Sequence, residues 1–437
     1  MEHHPSSPRR PDNAHGKGPF VLLRPVLCLL FGPALLMALS CTRRADAPAL
    51  PEPTGPFGVG TERFSFVDST RPETFTPEPG DFREVAFRVW YPAPKTPCKK
   101  RVPYMEKAEE RRRMLPEGSP VPAGFFDVLG HWMSNSCYDA VLSDEVAAFP
   151  IVLYSHATGA GMDASTVLME ELASHGYVAV SVGHALETSH FVRADGSLRV
   201  FPLDTPELRA RGMERVATAD LQRRLNETAD PDELRELVRT IGNARPKTME
   251  SLHIWVEDIS SVIDRLERMN AEGRFRGRLD LDRIGVVGHS FGGTAAGQAC
   301  LDEPRCRAGV NLDGLQLGDM LDRPVARPFL FVHHDNAGAV NKLVNLPFFL
   351  QAEGPCFMVM VRGTRHLNFS DVSLPGFSGA VGLPAGALGP IDGLRALAVM
   401  NDLVRSFFDR YLRGLPAPLL DDPAAAYPEL EMRVRTP

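Results

Sequence analysis

The chain predicts an α/β fold, a mostly parallel sheet covered by helices on both faces. Three observations carry that expectation. Short all-apolar runs such as Ile151-Val152-Leu153-Tyr154 and Phe329-Leu330-Phe331-Val332 recur along the chain, which is how strands buried on both sides read. Amphipathic stretches separate them; in the clearest, Leu252, Trp255, Val256, Ile259, Val262, Ile263, Leu266 and Met269 recur at steps of three and four. The 437 residues are 43% hydrophobic and 24% charged, ordinary for a soluble globular protein and long enough for one large α/β domain or two ordinary ones.

Taken in order, Glu84 to Tyr91 reads as an early strand ended by Pro92, and Ile151 to Tyr154 as a buried one. A Gly-containing loop and a helix from about Ala164 to Ser174 follow, then a strand over Tyr177 to Val182. The amphipathic helix leads into Arg283-Ile284-Gly285-Val286-Val287, a short buried strand, and that into a helix start of small residues from Gly293. Three more strands are expected at Ala308 to Leu312, Phe329 to Val332 and Phe357 to Val361. A closing helix from Leu394 to Leu412 is stopped by Gly414. This is one domain, 59–437, with a charged insertion at about 187–246. Within it Asp230-Pro231 looks like a helix start, an aspartate cap with proline in the first turn. The insertion reads either as part of a lid or interfacial surface, or as a solvated helical excursion.

Residues 1–41 are expected to be a targeting segment. Arg9, Arg10, Lys17 and Arg24 precede an apolar run, Val26 to Leu39, which has the length of a signal-peptide core and is short for a bilayer span. It ends in Ala38-Leu39-Ser40-Cys41, similar to a bacterial lipobox, in which Cys41 would be lipidated. The other reading is a cleaved secretory signal. Either predicts export, to the cell envelope as a lipoprotein or else to the periplasm or medium. Residues 42–58, rich in proline and alanine, read as a tether. Of the later cysteines, 98, 137, 300, 306 and 356, the odd count leaves at least one thiol free, and Cys300 and Cys306 flank a short turn and could pair.

A net charge of −7 gives no reason to expect a nucleic-acid partner, and no phosphate-binding loop, zinc-type cysteine spacing or internal repeat is visible. The chemistry is concentrated at Gly288-His289-Ser290-Phe291-Gly292, between a buried strand and a small-residue helix. That is the setting of a nucleophile elbow, where a strained turn projects a serine from the top of a sheet. Acyl transfer by serine needs a base, an acid to orient it and donors for the oxyanion. In the α/β-hydrolase arrangement acid and base follow the serine. The histidines available are His333, His334 and His366. His366 lies in a loop just beyond the last apolar strand and is taken as the base; His333 and His334 end a strand and read as packing or rim residues. A metal site from His333, His334 and Asp335 is disfavoured because adjacent strand side chains point to opposite faces. Asp313 and Asp335 each end a strand after the elbow, and spacing does not choose between them.

Gly288 to Gly293, Asn311-Leu312-Asp313-Gly314 and Gly363-Thr364-Arg365-His366-Leu367-Asn368-Phe369-Ser370-Asp371 together resemble the platelet-activating-factor acetylhydrolase family of serine esterases, of the plasma or lipoprotein-associated type. Phe87 to Ala93, Ser155 to Ala160 and Ala173 to Tyr177 match as well, and the chain reads as a bacterial member. The resemblance implies an α/β-hydrolase fold, Ser290, Asp313 and His366 as the triad, and Phe291 and Thr158 as the oxyanion-hole residues. It places the acid at Asp313, and it includes a charged helical excursion where this chain has its insertion. One departure stands out: the family's glycine after the loop histidine is Ala157 here. The expected reaction is hydrolysis of short or oxidised sn-2 acyl chains from phospholipids through an acyl-serine, with no metal or cofactor. Expected partners are the ester substrate and, through a lipid anchor, a membrane surface. A broad carboxylesterase or cutinase-like polyester hydrolase is the alternative, and a catalytically silent envelope lipoprotein a remote one.

Overall fold

Both faces of the central strands are apolar, and that forces a layered architecture. Ile151 and Leu153 enter one hydrophobic cluster while Val152 and Tyr154, between them, enter another; Val286 and Val287 divide the same way. Each cluster needs its own cover of helices. The structure is a computed structural model and describes residues 50–436 apart from 77, 79, 116–120, 123, 203–204 and 336–342. The leader with Cys41, and residues 42–49 of the tether, lie outside the described residues.

The strands are β1 (Gly58–Pro72), β2 (Phe82–Ala93), β3 (Arg101–Pro103), β4 (Met133–Tyr138), β5 (Phe149–Ser155), β6 (Val178–His184), β7 (His190–Val192), β8 (Leu198–Val200), β9 (Leu279–His289), β10 (Cys306–Leu312), β11 (Phe329–His334), β12 (Cys356–Val361) and β13 (Leu430–Arg435). Eleven of them form one sheet in the order β13-β12-β11-β10-β9-β5-β6-β2-β1-β4-β3. From β6 to β12 every neighbouring pair is parallel, and β2 and β13 join antiparallel on either side. This is an α/β-hydrolase sheet. The long helix Pro246–Ala271 covers one face through Trp255, Ile259, Val262 and Leu266; helices Thr166–Ser174 and Gly393–Arg413 cover the other. The last of these is capped by Asp392, which accepts from the Arg395 N–H, and ends at Gly414 with φ 65°.

The outer strands were not foreseen. β1 and β13 consist mostly of half-buried or exposed residues; β1 bonds along most of its length to the apolar strand β2, and β13 along its full length to β12. The proline- and alanine-rich reading also fails over residues 50–58, which lie against the domain. Leu50 is buried and donates to the Met133 carbonyl; the Thr54 N–H bonds Glu171 Oε2 at 2.9 Å. Between β6 and the long helix the insertion holds the β7–β8 hairpin and three helices, Pro206–Ala217, Ala219–Glu227 and Pro231–Asn243. Leu225, Leu234, Leu237, Val238 and Ile241 are buried in the main core, so its second half is packed, not solvated. Disulfides join Cys98 to Cys137 and Cys300 to Cys306, and Cys356 is a buried free thiol.

Candidate active site

The site sits where β5, β9, β10, β11 and β12 end along one edge of the sheet. Ser290 follows β9 with φ 57° and ψ −122°, a strained conformation for a residue with a side chain. The turn is held by backbone: Ser290 N–H donates to the Leu312 carbonyl at 2.8 Å, and its own carbonyl accepts from Gly293 at 2.9 Å. Glycine is required on either side. A Cβ at Gly288 would strike the Gly292 carbonyl, and one at Gly292 the carbonyls of Ser155 and His156 at the end of β5.

Asp313 follows β10, also with positive φ, 58°. Asn311 Oδ1 accepts the Gly314 N–H at 2.7 Å, a side chain closing the turn that presents the acid. His366 follows β12 in a loop pinned by Asn368, whose Oδ1 accepts from the N–H groups of Arg365 and Gly389, each at 2.8 Å. His289 Nε2 bonds the His366 carbonyl at 3.0 Å, and burial pushes the His289 ring down to about 3, so it is neutral.

These turns bring three of the expected residues together. His366 Nδ1 lies 2.6 Å from Asp313 Oδ2, and His366 Nε2 lies 3.0 Å from Ser290 Oγ. A carboxylate only accepts, so Nδ1 carries the proton and Nε2 is left to accept from the serine hydroxyl. Burial alone would raise the Asp313 carboxyl; hydrogen bonds from His334 and His366 outweigh it and hold the acid below its ordinary range. Asp335 takes a different post. Its Oδ2 accepts the Gly363 N–H at 3.2 Å, at the root of the His366 loop.

The reading of His334 as a packing or rim residue is corrected. Its Nδ1 lies 2.8 and 2.7 Å from the two Asp313 oxygens, and its N–H donates to Oδ1 at 2.9 Å. The neighbouring parallel strands β10 and β11 end at the same level, Leu312 opposite Val332; an aspartate and a histidine at adjacent strand ends were the available signal. His333, by contrast, points into the core. Asp313, His334 and His366 also form the one group among the described residues whose donor atoms could converge on a cation. Both rings already direct a nitrogen at the carboxylate, which satisfies it as a hydrogen-bonded acid–base cluster.

Of the expected oxyanion residues, Phe291 directly follows the serine and Thr158 lies in the loop after β5. Phe291 is the first residue of the elbow helix, and no acceptor for its N–H or that of Thr158 is found among the described residues. Ala157 does not have positive φ, so alanine fits where the family has glycine; the left-handed position falls at Gly159, φ 76°. Gly159 N–H donates to the Glu187 carbonyl at 2.8 Å, which ties this loop to the insertion. Glu187 Oε2 accepts from Trp255 Nε1 at 2.7 Å, and its other oxygen pairs with Arg211. Glu187, Arg211 and Trp255 were not singled out as site residues, and the even spread of charge along the insertion gave no signal for Arg211.

Residues 239–414 match the family described as platelet-activating factor acetylhydrolase, isoform II. This stretch contains the elbow, the acid turn and the histidine loop. Over this stretch the chain is similar to the platelet-activating factor acetylhydrolase family. Among its relatives, the platelet-activating factor acetylhydrolase of Bos taurus is 24% identical over 272 residues, 60% of this chain and 57% of the relative. A probable 1-alkyl-2-acetylglycerophosphocholine esterase of Arthroderma benhamiae is 23% identical over 423 residues, 87% of this chain and 92% of the relative. The match thus spans less than two thirds of the bovine relative's length. Among solved structures, a ferulic acid esterase from Streptomyces cinnamoneus superposes with a TM-score of 0.67 at 26% identity, covering 88% of this chain and 99% of that one.

Proposed function

We propose that this protein is a serine ester hydrolase that releases short or oxidised sn-2 acyl chains from phospholipids such as platelet-activating factor. The observation that carries the reading is the unbroken chain Ser290–His366–Asp313, with contacts of 3.0 and 2.6 Å, on a strained elbow. Ser290 Oγ attacks the ester carbonyl while His366 Nε2 takes its proton, and Asp313 fixes the tautomer and stabilises the imidazolium. The carbonyl oxygen, now an oxyanion, receives the N–H groups of Phe291 and Thr158. Collapse breaks the ester bond; the lysophospholipid alcohol leaves with the proton from His366. Water, deprotonated by the same histidine, then hydrolyses the acyl-serine to the free acid and restores Ser290. Every proton moves through one imidazole, so the protein groups suffice without a metal.

The family match supports the phospholipid substrate. A broader carboxylesterase is the second reading, supported by the likeness to a ferulic acid esterase. Anchoring through Cys41 belongs to the proposal too: it is supported by the Ala38-Leu39-Ser40-Cys41 run that ends the apolar leader, and a lipidated Cys41 would bring the domain to its substrate.

Chain-length selectivity separates the two readings. Each methylene buried in an open channel is worth about 0.8 kcal/mol, so a channel favours longer chains until it is filled, whereas a short pocket rejects them. We expect kcat/KM to fall steeply from acetyl or butyryl to palmitoyl at the sn-2 position of phosphatidylcholine, unchanged by calcium or chelator. A rate that rises to palmitoyl, or that vanishes with chelator, would overturn the phospholipid reading.

A further inference from the structure

The insertion helix Pro206–Ala217 is attached to the domain in an unusual way. None of its residues is buried, and Met213 and Val216 are exposed to solvent. Polar bonds hold it instead. Glu214 accepts from the N–H groups of Lys247 and Thr248, at 2.7 and 3.0 Å, and from Thr248 Oγ1 at 2.8 Å. One long side chain reaches inward. Arg211, 11% exposed, pairs with Glu187, 2% exposed. Its guanidinium lies 4.4 Å from the centre of the Phe291 ring, and Nη2 lies 3.3 Å from Thr158 Oγ1.

Those two contacts fall on the residues from which the oxyanion site is built, and the connections close into a ring. Thr158 leads to Gly159, whose N–H bonds the Glu187 carbonyl at 2.8 Å. Glu187 Oε2 holds Trp255 Nε1 at 2.7 Å, and the Trp255 ring meets the Phe291 ring edge-to-face at 4.8 Å. Phe291 meets Arg211, and Arg211 returns to Thr158.

A buried ion pair is a poor source of stability, because desolvation offsets most of the attraction. It does fix geometry, and arginine's planar fork bonds and stacks in set directions. Here the carboxylate faces Trp255 while the guanidinium faces Phe291 and Thr158, which turns the positive end of the pair toward the side where negative charge develops. We propose that Arg211 is a positioning residue: with Glu187 it locks the Thr158 loop against the Phe291 end of the elbow helix, so that two N–H groups from separate elements converge on one oxyanion. The insertion then completes the oxyanion site and is not only a lid. This rests on the serine-hydrolase reading above.

The test uses the full chain, with Arg211→Met, Arg211→Lys and the double variant Arg211→Met/Glu187→Gln, which leaves no unpaired buried charge. Each is assayed on p-nitrophenyl acetate, a neutral ester, and titrated with a trifluoromethyl ketone, which binds the serine as a charged tetrahedral adduct. Arg211→Met and the double variant should lose about 10- to 100-fold in kcat, as for small displacements of catalytic groups, with KM near that of the wild type. Affinity for the ketone should fall by the same factor, and Arg211→Lys should be intermediate. A folded double variant with wild-type kcat, or a loss confined to KM, would overturn the proposal. An inactive wild-type enzyme would overturn the hydrolase reading and this proposal together; an active one with an unaffected double variant would overturn this proposal alone.

Discussion

His334 Nδ1 lies within 2.8 Å of both carboxylate oxygens of Asp313, so the acid of the cluster is held by two histidines, not one. Burial disfavours a charged His334, but its hydrogen bond to Asp313 and the charge there raise its pKa above the ordinary 6.5. The linkage has a definite sign. A raised folded pKa means the contribution is full below about 6.5 and lost as pH rises through the folded value. Asp313 runs the other way: held below its ordinary 3.8, it stabilises above that pH and loses the contribution in acid. In His334→Gln the Tm should therefore fall less between pH 6 and 8 than in the wild type, with a modest loss of kcat as the carboxylate loses a guide. Parallel Tm profiles for the two proteins would show that His334 does not couple to Asp313 in this way.

Asp313→Asn should cost far more activity than Asp335→Asn. Asp313 Oδ2 lies 2.6 Å from His366 Nδ1, and loss of the acid that fixes the imidazole tautomer costs about 10⁴-fold in the serine protease for which it was measured. Asp335 acts on the backbone of Gly363. Comparing kcat/KM of the two variants on one ester decides this, and a reversed ranking would move the acid to β11.

Much of this site was legible because the chemistry sits at strand ends. Apolar runs located β5, β9, β10, β11 and β12, and Ser290, Asp313 and His366 each follow one of them. The choice of Asp313 over Asp335 was not in the spacing; it needed the resemblance, and the bond from Gly363 supplies its physical reason. β1 and β13 escaped notice because half-buried outer strands carry polar residues such as Arg63 and Glu431. Arg211 escaped because its meaning depends on Glu187 and Phe291, which lie 24 and 80 positions away along the chain and meet it only after folding.

Gly292→Ala should inactivate the protein and lower its Tm. The new Cβ would collide with backbone carbonyls of Ser155 and His156, which no rotamer change can relieve. Thermal melts with activity measured on the same sample check this; an active, equally stable variant would mean the elbow has room the structure does not show.

Cys41→Ala should release the protein from the membrane fraction, and mass spectrometry of the native mature chain should find an acylated N-terminal cysteine. An unmodified N-terminus beyond Cys41 would instead establish an ordinary secreted protein.

Everything proposed for this site depends on Ser290 as the nucleophile. Incubation with a fluorophosphonate, followed by peptide mass spectrometry, reads it directly. One covalent adduct is expected, on Ser290, forming far more slowly in His366→Ala and absent in Ser290→Ala, which should still fold. An adduct on a different serine, or undiminished labelling of Ser290→Ala, would contradict it.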